Sequence, residues 1–155
     1  MHEWFVLAHI AGAAIFIGAH AVSMAAAFEL RGRPDRDRAA VILKRSQGAL
    51  GVAYLGLLLL LVGGIGSAFT GNWWGSLWLW IAIGVLVFVI AAMYAMATPY
   101  YGRLRTGLGL RDGAGEAMSD ADVAAMLDAP VAYQLALIGG VGLAVILWLM
   151  LAKPF

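Results

Sequence analysis

The stretch LAHIAGAAIFIGAHAVSMAAAF, residues 7–28, decides what kind of fold this chain can adopt. Apart from its histidines it has no side chain that could carry a charge, and its apolar character reaches back to Trp4. A helix needs about 20 such residues to cross a bilayer, so the segment is long enough to span one. It nevertheless holds His9 and His20, two of the chain's three histidines. The third, His2, lies just upstream, and residues 29–155 contain none.

The same apolar character recurs along all 155 residues. The composition is 63% hydrophobic and 12% charged, with a mean hydropathy of +0.89. Soluble domains are roughly half apolar and about a quarter charged, so a chain of this size has no core large enough to hide that surface from water. Four spans follow, at about residues 4–28, 49–69, 77–100 and 131–152. Irregular backbone and open strand edges cannot face hydrocarbon, so the spans are helices. The expected fold is all-α, a four-helix transmembrane bundle in a single integral membrane domain. The first span is read as retained, because Met1-His-Glu-Trp lacks the basic residues of a signal peptide and the apolar run is too long for one.

Basic residues set the expected orientation. Arg31, Arg33, Arg36, Arg38, Lys44 and Arg45 lie between spans one and two, and Arg103, Arg105 and Arg111 between spans three and four. The connection TGNWWGS is uncharged, and only Lys153 lies on the other side. This asymmetry places both loops in the cytoplasm and both termini outside it. It also makes the arginines topology signals, not a nucleic-acid surface. With no cysteine, disulfides, thiolate metal sites and covalently attached c-type haem are excluded.

Local signals refine the picture. Trp73, Trp74, Trp78 and Trp80 mark one interface, where amphipathic rings favour the headgroup level. Pro34 and Asp35 predict that the second helix starts well before the membrane. Pro99 is expected to help end the third span. Thr106-Gly-Leu-Gly-Leu-Arg-Asp-Gly-Ala-Gly-Glu-Ala reads as a flexible loop. After it, residues 119–128 read as a short cytoplasmic helix, capped by Ser119 and lying at the membrane surface on Val123, Met126 and Leu127. Glu29 reads as a boundary charge beside Arg31. Glycines inside the spans allow either close helix approach or room for a flat cofactor.

Eleven residues at 100° each bring His20 to within about 20° of His9, with His2 on the same stripe. Along the axis they stand about 16 Å apart, too far to share one metal. Any site therefore takes one histidine and draws its other ligands from elsewhere. At the depth of His20 the expected neighbours are Met24, Tyr54, Met93, Tyr94, Met96 and Gln134. At the depth of His9 they are Ser67, Trp80 and Trp148. Ionisable groups inside a membrane are costly and mark candidate functional positions. No nucleophile–base constellation is present.

The segment LAHIAGAAIFIGA resembles the first helix of small four-helix bacterial membrane proteins: the CopD-like copper-resistance domain, the HemJ-type protoporphyrinogen oxidase and their uncharacterised relatives. His9, Gly12, Phe16 and Gly18 carry the likeness, with Phe16 where Trp is common and His20 additional. The resemblance implies a bacterial cytoplasmic membrane location and a haem b ligand at His9. Three functions are expected. The first is a haem b- or metal-binding membrane subunit, in electron transfer, ligated by His9 or by His20 with Met93, with Trp80, Trp148 and Tyr54 lining the cofactor. The second is a non-catalytic accessory subunit of a homo-oligomer or larger membrane complex. The third is copper handling through His20, Met24, Met93 and Met96, since imidazole and thioethers suit Cu(I).

Overall fold

The computed structural model describes residues 1–110 and 118–154, and these are helical with short connections and no strand. In chain order the helices are α1 (His2–Arg31), α2 (Arg36–Thr70), α3 (Leu77–Gly107), α4 (Asp120–Asp128) and α5 (Val131–Ala152). α1, α2, α3 and the run Asp120–Ala152 are each long and apolar enough to cross a membrane. The middles of the long helices turn large apolar side chains outward; Leu55, Leu58, Val87, Phe88 and Leu137 are all more than half exposed.

α1 and α2 form the closest pair, and glycine is the reason. A Cβ on Gly12 would come within 2.7 Å of Leu60 Cα, and one on Gly56 within 2.6 Å of the Phe16 backbone nitrogen. A Cβ on Gly63 would come within 2.8 Å of His9 Cα. Backbone rests on backbone here, which only the smallest residues permit. Of the two uses expected for the glycines, close helix approach applies at these three positions. α3 and α5 form the second pair, with Gly142 seated under Val89.

Two buried clusters tie the pairs together at their ends. At the tryptophan end, Ala68, Trp78, Leu79, Ala82 and Leu149 pack together. There His2 meets the Trp73 ring edge-on, and the Lys153 ammonium stands 4.3 Å from the same ring's centroid. Both terminal segments thus gather at one end. At the basic end, Ala26, Leu30, Ala39, Ile42, Leu43, Leu104, Val123 and Leu127 join α1, α2, α3 and α4.

That second cluster corrects two sequence expectations. α3 does not stop at Pro99 but runs on to Gly107, because fully buried Leu104 anchors its last turns. Proline removes one helical hydrogen bond, a loss that packed helices tolerate. α4 begins at its Ser119 cap as expected, with Ser119 Oγ accepting from the Asp122 N–H. Its apolar face, however, packs on protein: Val123 and Leu127 are core residues and Met126 leans on them.

The arginines of the α1–α2 turn hold α4 in place. Arg31 donates to the carbonyls of Leu127, Asp128 and Ala129, the unsatisfied C-terminal groups of α4. Arg33 pairs with Asp128, and Arg36 with Asp120. Glu29 is not the partner of its neighbour Arg31 but pairs with Arg38 and Arg45 across α2. Asp35 caps α2 by accepting from the Arg38 N–H at 2.8 Å. Arg111 and most of the expected flexible loop lie outside the described residues.

Candidate functional site

His9 and His20 have different surroundings. His9 enters the glycine groove of α2, where its Nδ1 lies 2.8 Å from the Leu60 carbonyl oxygen. A carbonyl only accepts, so Nδ1 carries the hydrogen and the lone pair is on Nε2. Gly64 makes room for the ring; a Cβ there would fall 2.9 Å from Nδ1. His2 does the same one level out. Its Nδ1 lies 2.7 Å from Thr70 Oγ1, whose own hydrogen goes to the Gly66 carbonyl at 2.8 Å. Thr70 therefore accepts from His2. Both imidazoles fasten α1 to α2.

His20 faces elsewhere. The α1–α2 seam repeats every 3.5 residues through Phe5, His9, Gly12 and Phe16, and a straight 3.6-residue helix drifts against such a seam. By the third turn, buried Ala19 lies about 50° to one side of the line through His9 and His20 about 50° to the other. The shared stripe expected from ideal helical spacing therefore splits. His9 faces α2, while His20 faces α3 and α5.

The structure brings His20 and Met93 together at Gly139. His20 Nε2 lies 3.4 Å, and Met93 Sδ 3.5 Å, from the point where a Gly139 Cβ would stand. Three helices thus deliver an imidazole nitrogen, a thioether sulfur and a gap left by glycine to one place. Phe16 stacks on the imidazole with centroids 5.9 Å apart. His20 makes no side-chain hydrogen bond among the described residues. The one ring lone pair of the neutral imidazole is therefore not engaged by a side-chain hydrogen bond among these residues.

The other expected site residues are scattered. Met24 is half-buried one turn along α1. Met96 lines a groove with Pro99, Tyr100 and Met126 at the basic end. Tyr54 and Tyr94 are exposed. Trp80 is 53% exposed and donates its indole N–H to the Trp74 carbonyl, and Trp148 is 55% exposed. Neither stacks on His9. Ser67 is buried with its hydroxyl unpartnered among the described residues. Sequence reasoning missed Gly139 as the gap, although its place in the Gly139-Gly140-x-Gly142 run was visible. It also missed the Leu60 carbonyl, which no side-chain pattern reveals.

Two kinds of group can be tested against the His20–Met93 pair. Haem accepts His/Met axial ligation, but its macrocycle would have to pass between Nε2 and Sδ, extending several ångströms to every side. The point 3.4 Å from Nε2 and 3.5 Å from Sδ is the place of a single missing Cβ, so a macrocycle entering there would meet the α5 backbone at Gly139. A single ion is far smaller and would need only metal–nitrogen and metal–sulfur distances near 2.0 and 2.3 Å, reached by the two side chains closing on it. The donor set is soft and uncharged. Among the described residues no group of three or more His, Cys, Asp or Glu side chains converges on one point, so the carboxylate-rich sites of hard cations are not formed there.

No match to the chain is found among models of known protein families, curated proteins or solved structures. The functional reading therefore stands on the site itself.

Proposed function

We propose that this chain is a multi-pass membrane protein that binds a single Cu(I) ion through His20 Nε2 and Met93 Sδ. The observation that carries the reading is the meeting of these two atoms at Gly139, inside an apolar bundle. Imidazole and thioether are the pairing that favours Cu(I) over harder ions. Met24, one turn from His20, is the nearest further thioether on the same helix. In this reading the basic end faces the cytoplasm of a bacterium and the tryptophan end the outside, following the distribution of Lys and Arg. A reporter fused after Phe155 is expected to act outside, and one inserted near Gly113, beyond the described residues, inside.

A second reading rests on a different observation. His9 Nδ1 is held by the Leu60 carbonyl, the arrangement that orients a ligating histidine through its other nitrogen. Haem b at His9 would draw its second axial ligand from another copy of the chain. An absorption spectrum and copper analysis of the detergent-purified protein separate the two. A colourless protein that takes up copper supports the His20–Met93 site, and a Soret band supports haem at His9. Neither metal nor haem would leave the chain as an accessory subunit.

A further inference from the structure

The arginines of the α1–α2 turn are engaged. Arg31, Arg33 and Arg36 hold α4, while Arg38 and Arg45 hold Glu29. Arg103, about one turn before the end of α3, differs. It is exposed, makes no ion pair among the described residues, and separates two open grooves. One groove, of about 480 Å³, is lined by Thr98, Gly102 and Thr106 of α3 with Met118 opposite. The other, of about 430 Å³, lies between Met96, Pro99 and Tyr100 of α3 and, across it, Met126 of α4 and Ala129 just after α4.

The polarity of these walls changes along the helix. Met96 and Pro99 lie towards the middle of the span, and Arg103 about 10 Å further along the axis from Met96. Tyr100 donates its hydroxyl to the Met126 carbonyl at 2.9 Å, which leaves its ring as an apolar wall. The second groove has apolar walls and the first adds threonine hydroxyls, and both reach the same cation at the edge of a span, which matches a lipid: hydrocarbon and glycerol first, then phosphate. We propose that the grooves flanking Arg103 bind an anionic phospholipid, its phosphate on the Arg103 guanidinium. The inference depends on the multi-pass reading of the four spans and is independent of the metal site.

The test is native mass spectrometry of the full chain in neutral detergent, with phosphatidylglycerol or phosphatidylcholine of matched acyl chains added. Wild-type protein is expected to retain phosphatidylglycerol preferentially. Arg103→Gln is expected to weaken that retention about fivefold, the value of one arginine at an anionic surface. Gly102→Leu keeps the charge but fills the groove, and a Cβ at Gly102 meets nothing within 4 Å, so the fold is retained while lipid is lost. Arg45→Gln, which removes an arginine already held by Glu29, is expected to change nothing. Equal retention of the two lipids by wild type, or an intact preference in Arg103→Gln, would overturn the proposal. So would displacement of the lipid by inorganic phosphate alone, which would assign the arginine to a free anion. A chain recovered from the soluble fraction without detergent would instead overturn the multi-pass reading beneath it.

Discussion

His9 and His20 lie on one helix, yet one is a fastener and the other a free donor. At His9, α1 meets α2 with so little space that the imidazole is held against Gly64 and its Nδ1 given to a carbonyl. At His20, the neighbour is a glycine whose missing Cβ leaves ordinary van der Waals distance to the imidazole and to Met93. Whether each imidazole is engaged by its own chain is decided by what stands opposite it. Where a facing backbone carbonyl takes the hydrogen, the ring is fixed. Where three helices meet around a gap, the ring keeps its lone pair available.

The sharpest way to break this comparison is to add one methyl group on each side of it. Gly63→Ala would press a Cβ onto the His9 backbone, and backbone cannot move without lifting α1 from α2. Thermal unfolding in detergent should show a loss near the top of the overpacking range, about 3 kcal/mol. Gly139→Ala places its methyl 3.4 Å from His20 Nε2 and 3.5 Å from Met93 Sδ, in ordinary contact. It should unfold at or above the wild-type temperature, because alanine favours a helix over glycine by about 1 kcal/mol. Equal losses at the two positions would remove the distinction between the two packings.

A smaller effect is expected from the histidines themselves. His9→Ala gives up the bond to the Leu60 carbonyl and should lower stability by about 1 kcal/mol, the usual scale for a polar contact between membrane helices. His20→Ala breaks no hydrogen bond and should cost less. If His20→Ala proves the more destabilising, the ring is a structural element and the contrast is reversed.

Much of this was legible in the sequence, and the unread part has a physical reason. The four spans, the Asp35 start of α2, the Ser119 cap of α4 and the pairing of His20 with Met93 at one depth follow from hydropathy, capping chemistry and helical rise. Three features did not. The end of α3 depends on Leu104 finding Val123 and Leu127, a long-range contact that outweighs Pro99. The divergence of His9 from His20 depends on a 3.5-residue seam, which appears only once α2 is in place. The face of α4 was identified, but an amphipathic stripe looks the same whether protein or membrane covers it.

The smallest effect concerns α4 and its arginines. Asp128 holds the Arg33 guanidinium above its ordinary pKa through a direct hydrogen bond and charge attraction, but both groups are largely exposed. Arg33→Gln should lower the unfolding temperature slightly at low salt, and raised salt should erase the difference. By contrast, α4 should stay docked through Val123 and Leu127. Hydrogen exchange that shows α4 released in Arg33→Gln would mean that the ion pair, and not the apolar face, holds it.

The most direct test of the account is Cu(I) bound per chain, measured under reducing conditions in detergent for wild type, His9→Ala, His20→Ala and Met93→Leu. The account predicts one copper per chain in wild type and in His9→Ala, and its loss in His20→Ala and in Met93→Leu. Copper that persists in both of those variants, or that is lost only with His9→Ala, would contradict it.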